Sequence, residues 1–202
     1  MIRYLVDAAN AITTFGVLCS ALALYLALAG HPELAVAIAL WAMLADQLDG
    51  VVAARTPNRS ADLARMGKSL DGFADLLYGA VVPAVVVIAL SAASALSLLT
   101  ATLLLLAGAL RLSYFNNFGL SDDGCFMGVP LSYDVPLLAI LLLLRPSLPP
   151  ESFALIVNAA FVVLAILHVA SIRVPTAGAV MYAVLTAFSL AASAILVTRG
   201  LA

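Results

Sequence analysis

Apolar positions in this chain come in long unbroken runs, without the one-sided or alternating patterns of a soluble fold. The runs cover roughly residues 11–29, 33–54, 129–144, 152–171 and 177–198, and no charge interrupts the stretch from Leu76 to Leu110. As one helix those 35 residues would reach about 50 Å at ~1.5 Å per residue, too long for a hydrocarbon core of ~30 Å. A hairpin is therefore predicted, with helices over about 71–90 and 95–117 and a turn at the small polar cluster Ser91 to Ser94. That makes seven candidate spans, of which 129–144 is short enough to be tilted or partly interfacial.

In lipid every backbone polar group must be bonded internally, so the runs predict an α-helical bundle. A closed barrel would need alternation in segments of ~10 residues, which is absent. The expected fold is all-α: a polytopic integral membrane bundle of six to seven transmembrane helices, formed by residues 1–202 as a single domain. Composition agrees. Mean hydropathy is +1.16, and only 10% of residues are charged, too few to cover a soluble surface. Arg3 ahead of the first run resembles the start of a signal peptide. Asn10, Thr13 and Thr14 interrupt that run, which reads as a retained first helix. Cys19 and Cys125 are expected to be plain small residues.

With seven spans, one side receives Arg3, Arg55, Arg59, Arg65, Lys68, Arg111 and Arg173, and the other receives Arg145 and Arg199. The bias puts the first side in the cytoplasm, the amino terminus inside and the carboxyl terminus outside.

The cytoplasmic side also holds the stretch DQLDGVVAARTPNRSADLARMGKSLDGFAD, residues 46–75. On helices, Asp46 and Asp49 share one face, as do Asp71 and Asp75. The short linker makes the two helices antiparallel neighbours, so four carboxylates converge. One such Asp is ordinarily a solvated or helix-capping charge; two same-face pairs beside Gly50 and Gly67 are not so easily explained. Unpaired, the carboxylates would repel and suffer desolvation. Divalent cations with oxygen preference, Mg²⁺, Mn²⁺ or Ca²⁺, would compensate them. Gly50 and Gly67 suit close approach of a ligand or of a helix, and Arg55 is placed to grip phosphate in bidentate fashion. A cation-binding membrane transporter is the reading from another class, although its acids would sit at mid-membrane in broken helices.

These residues resemble the signature of the CDP-alcohol phosphotransferases, D-x2-D-G-x2-A-R-x8-G-x3-D-x3-D. Asp46, Asp49 and Gly50 match its start, and Gly67, Asp71 and Asp75 its end. Within the family, GKSLDGFADLLYGAVVPA and the later Arg111 to Asn116 are most similar to bacterial and archaeal phosphatidylserine synthases, as is FMGVP at 126–130. Asn10 and Thr13 match an N-x-x-T near the family's amino terminus. The chain carries one extra residue before Arg55 and eleven residues between Arg55 and Gly67, so Arg59, one turn on, is a substitute for the signature arginine. Tyr114 stands where serine synthases tend to have a second arginine.

The resemblance implies transfer of the phosphatidyl group of CDP-diacylglycerol to a polar alcohol, most simply L-serine, with release of CMP. Choline, inositol and glycerol phosphate are the alternative acceptors. It also implies two divalent ions, Mg²⁺ or Mn²⁺, on Asp46, Asp49, Asp71 and Asp75, with Asp75 as general base. Asn10, Gly50, Arg55 and Gly67 would contact the nucleotide or its phosphates. Arg111, Asn116 and Asp134 are the candidate acceptor residues: Arg111 for a carboxylate, Asp134 for an ammonium group. His168 reads as a packing histidine. The implied setting is the bacterial or archaeal cytoplasmic membrane, as a homodimer in contact with membrane lipid and with no nucleic-acid partner.

Overall fold

The computed structural model describes residues 1–56 and 59–202; Pro57 and Asn58, inside the signature stretch, lie outside the described residues. Eight α-helices form the bundle: α1 (Ala8–Leu28), α2 (Pro32–Arg55), α3 (Ala61–Leu76), α4 (Val82–Leu90), α5 (Ala95–Phe118), α6 (Asp134–Leu144), α7 (Pro150–Val169) and α8 (Ala179–Leu201). A π-helical turn, Leu77–Val81, joins α3 to α4 in one continuous element. Strands β1 (Cys125–Met127) and β2 (Arg173–Pro175) pair antiparallel, Phe126 opposite Val174. Counting α3–α4 as one, six helices are long and apolar enough to cross a membrane. The chain is an integral membrane protein.

Local chemistry sets the helix ends. The Asp7 side chain accepts from the Asn10 amide at the start of α1, Ser60 from Leu63 at α3, and Ser94 from Ser97 at α5. Each satisfies one of the donors that a first turn leaves open. Pro32 and Pro150 occupy the first turns of α2 and α7, where a missing N–H costs nothing. The hairpin turn at Ser91 to Ser94 stands where the apolar pattern puts it. The helix before it does not begin near residue 71: it starts at Ala61, because Ser60 caps a charged but helix-favouring segment.

Small residues let the helices close on one another. Ala23, Ala27, Ala35, Ala39 and Ala42 are all buried between α1 and α2, and a Cβ on Gly16 would stand 3.4 Å from the Ala42 carbonyl oxygen. Without a hydrophobic drive between helices in lipid, such close approach supplies the packing energy. Buried hydroxyls and amides add cross-links: Asn158 Nδ2 donates to Ser91 Oγ at 2.8 Å, and Trp41 Nε1 to Ser193 Oγ at 3.1 Å. The outer surface is leucine, valine and isoleucine.

The short run at 129–144 finds its explanation here. Residues 126–133 re-enter the bundle: Leu131 is buried against Gly79 and Gly108, where a Cβ on Gly79 would meet Leu131 Cβ at 2.7 Å. Non-helical backbone is tolerated at that depth only inside protein. Helix α6 starts from this inner position, so eleven residues suffice to reach the far end. There Arg145 pairs with Glu33 at the start of α2 at 3.0 Å, and Arg199 donates to the Leu142 and Leu143 carbonyls. The chain thus passes between the two ends of the bundle seven times. The acidic stretch, Arg111 and Arg173 lie at one end; Arg145 and Arg199 lie at the other.

This path is testable with single cysteines at Asp122 and Ser147, both exposed, in a background of Cys19→Ala and Cys125→Ser. In intact cells or oriented vesicles an impermeant thiol reagent should reach the two from opposite sides. Labelling of both from the same side would contradict the passage of α6.

Candidate active site

Asp46 and Asp49 lie in the last turns of α2, and Asp71 and Asp75 in the second half of α3. The spacing aims each pair inward. One carboxylate oxygen from each of Asp46, Asp49 and Asp71 falls within 4.8 Å of the others. Asp49 is buried, while Asp46 and Asp71 are half-buried. Thr13, one helix away on α1, donates its hydroxyl to Asp49 Oδ2 and orients it. Among the described residues no basic side chain forms an ion pair with any of these three. Three converging carboxylates with no protein counter-charge fit a hard divalent cation, whose ligands are oxygens.

Asp75 is not one of this group of three, although its carboxyl lies beside that of Asp46. Its Oδ1 is 2.9 Å from the hydroxyl of Tyr78, which also lies 2.9 Å from Asp46 Oδ2. Tyr78 is almost wholly buried.

A second polar network closes the site on the α1 side. Arg59 reaches Asp7 Oδ2 at 2.6 Å and donates to Asn10 Oδ1, also at 2.6 Å. Asn10 Nδ2 donates to the Tyr4 carbonyl at 2.8 Å. Gly67 lies directly beneath: a Cβ there would stand 2.5 Å from Asn10 Oδ1 and 2.9 Å from Arg59 Nη2. Gly67 therefore makes room for the Asn10–Arg59 contact. Arg55, by contrast, ends α2 exposed, and Arg59 is the arginine built into the site. A Cβ on Gly50 would meet nothing within 4 Å, which leaves open space beside Asp46 and Asp49.

That space belongs to a cavity of about 450 Å³, lined by Asp46, Gly50, Asp75, Tyr78 and Arg111 and by the aromatic side chains of Phe126, Tyr133 and Tyr182. Arg111 is only 6% exposed, its Nε has no partner, and its guanidinium lies 5.5 Å from the Phe126 ring centroid. An unpaired buried guanidinium nitrogen is costly unless a ligand completes it.

Two expected acceptor residues do not reach the cavity. Asn116 is exposed on α5 beside Gly72 of α3. Asp134 is completely buried, with its Oδ2 3.0 Å from His168 Nε2, while His168 Nδ1 lies 2.8 Å from the Val129 carbonyl oxygen. That carbonyl can only accept, so Nδ1 is the donor to it, and Nε2 is left facing the Asp134 carboxyl. The pair fastens the re-entrant segment to the end of α7. Gly128 completes the seam: at φ +75°, a Cβ there would collide with the His168 carbonyl oxygen. With His168 as its partner, Asp134 is not among the residues that line the cavity.

A helical membrane bundle with a cation-receptive carboxylate group, and a cavity lined by one of its members, Asp46, together with Asp75 and Arg111, is equipped for phosphate chemistry at a membrane boundary. The chain belongs to the CDP-alcohol phosphatidyltransferase family, which it matches over residues 6–197. Its members transfer a phosphatidyl group from a CDP-alcohol to an alcohol in a reaction that uses divalent metal. Among curated proteins none matches the chain.

Three contributors escaped the sequence reading. Asp7, just ahead of the first apolar run, drew no reading at all. Tyr78 sits in an uncharged apolar run, and its spacing of three from Asp75 was the available signal. Phe126 was noted only as part of FMGVP.

Arg59 holds the Asp7 carboxyl below the usual carboxylate range, chiefly by its hydrogen bond. A depressed folded value stabilises the fold above the unfolded pKa of about 4, and that stabilisation disappears as pH falls through the lower folded value. Below about pH 4 the unfolding temperature in detergent should therefore drop more steeply for the wild type than for Asp7→Asn. Parallel pH profiles would show that the pair contributes nothing.

Proposed function

We propose that the protein transfers the phosphatidyl group of CDP-diacylglycerol to the hydroxyl of L-serine and releases CMP, at the cytoplasmic face of a bacterial or archaeal membrane. The observation that carries the choice of acceptor is buried Arg111, which lines the same cavity as Asp75 and forms no ion pair among the described residues. A guanidinium of this kind suits a carboxylate. The ammonium group of an amino acid finds the surplus negative charge of the carboxylates. Acceptors that already carry phosphate would need several cations, and Arg111 is the one basic residue among those lining the cavity. The concentration of basic residues at the acidic end supports the cytoplasmic orientation.

Asp46, Asp49 and Asp71 are the residues to hold Mg²⁺ or Mn²⁺, and Asp75, outside that group of three, is left to act as the base. When bound, such ions neutralise the pyrophosphate and stabilise charge on the leaving CMP. The rest falls to the chain. Gly50 leaves space for the nucleotide against α2. Arg111 binds the serine carboxylate and directs the hydroxyl toward Asp75. Asp75 accepts the hydroxyl proton as the serine oxygen bonds to the diacylglycerol-linked phosphorus, and the bond from that phosphorus to the CMP oxygen breaks. Tyr133 and Phe126 close the cavity against water. The Asn10–Arg59–Asp7 network holds α1 and α3 together beside the nucleotide space.

Arg111→Gln removes a charged hydrogen bond worth about 1.5–3 kcal/mol, so the KM for serine should rise about ten- to a hundredfold, while the KM for CDP-diacylglycerol changes little. CMP release at varied concentrations of each substrate measures both. An equal rise in both KM values would place Arg111 on the nucleotide, and full activity with another alcohol but none with serine would overturn the acceptor.

A further inference from the structure

The hydroxyl of Tyr78 has one hydrogen and two acceptors. It lies 2.9 Å from Asp46 Oδ2 on α2 and 2.9 Å from Asp75 Oδ1 on its own helix. These two carboxylates have different tasks, since Asp46 belongs to the group of three whose oxygens converge and Asp75 does not. Tyr78 itself is 1% exposed, so its single hydrogen serves one of the two carboxylates at a time. Whichever carboxylate receives the phenolic hydrogen is oriented by it, and the other is not.

The backbone is built to put this ring here. Asp75 and Tyr78, three apart, share a face. The helix then widens into the π turn Leu77–Val81, where the Val82 amide donates to the Leu77 carbonyl. Turns of this kind are rare and concentrate at functional sites. Gly79, next in line, lets the segment press against Leu131, while the Tyr78 hydroxyl reaches across to Asp46 on α2.

We propose that Tyr78 is a positioning residue that links cation binding to the orientation of the base. Without a cation, Asp46 competes for the phenolic hydrogen. With its lone pairs drawn to a cation, Asp46 becomes the poorer acceptor, and the hydroxyl turns to Asp75. The hydrogen bond then fixes one oxygen of Asp75 and leaves the other aimed at the acceptor hydroxyl. The base is thus set only when the site is loaded. The inference rests on the phosphatidyl-transfer reading and on Asp75 as the base in it.

Tyr78→Phe removes the hydroxyl and almost nothing else. Its kcat should fall about ten- to a hundredfold, with both KM values unchanged within a factor of about three. Binding of Mn²⁺ alone, followed by electron paramagnetic resonance, should also stay within about threefold of wild type, and so should the unfolding temperature match without metal. In an Asp75→Asn background, Tyr78→Phe should reduce the residual turnover no further, as expected for residues that act as a unit. Wild-type kcat in Tyr78→Phe would overturn the proposal, as would a matching loss of Mn²⁺ affinity, additive losses with Asp75→Asn, or failure of the variant to fold. Absence of CMP release from the wild type with any acceptor would instead overturn the transfer reading itself.

Discussion

Mutual repulsion among carboxylates in an apolar bundle is the constraint on which this structure depends. Asp46, Asp49 and Asp71 bring oxygens within 4.8 Å of one another with no ion pair from the protein among the described residues. Such a group is tolerable at a membrane boundary, where water and cations reach it, and intolerable at mid-depth. Its position therefore dictates much else: α2 must end, and α3 must run well before Asp71, close to the same surface. Thr13 and Tyr78 supply hydroxyl donors where a lysine or arginine would have cancelled the charge needed for a cation.

The remainder of the fold holds α1, α2 and α3 close enough for that convergence. Alanine-lined contact between α1 and α2 brings Thr13 to Asp49. Gly67 allows Asn10 and Arg59 to meet over α3. The re-entrant segment 126–133 gives the cavity aromatic lining, and the buried Asp134–His168 pair together with β1–β2 pairing keeps that segment in place. Arg111 lines the same cavity with its guanidinium 5.5 Å from the Phe126 ring centroid, and its Nε finds no partner among the described residues.

Much of this was legible in the sequence, for identifiable reasons. Long apolar runs have one solution in lipid, so the all-α membrane bundle followed directly, and spacings of three and four put the aspartates on shared faces. The short run 129–144 was legible as unusual, but its cause was not: that Leu131 inserts against Gly79 and Gly108 is a contact between distant segments. The same holds for Asp134, whose charge in an apolar run was conspicuous while its partner, His168, lay on another helix. Arg55 attracted attention because it sits nearer the first aspartates; the chain's turn after α2 hands the role of bridging α1 and α3 to Arg59. Tyr78 was hidden because a tyrosine within an apolar span looks the same whether its hydroxyl faces lipid headgroups or two carboxylates.

The central claim is that the four aspartates divide into a cation-holding group and a separate base. Direct titration of the purified protein with Mn²⁺, read by electron paramagnetic resonance, tests it for Asp71→Asn and Asp75→Asn side by side. A divided site predicts that Asp71→Asn loses its tightest bound Mn²⁺, whereas Asp75→Asn retains it while releasing almost no CMP. Equal loss of that Mn²⁺ in both variants would contradict the division and return Asp75 to the cation-holding group.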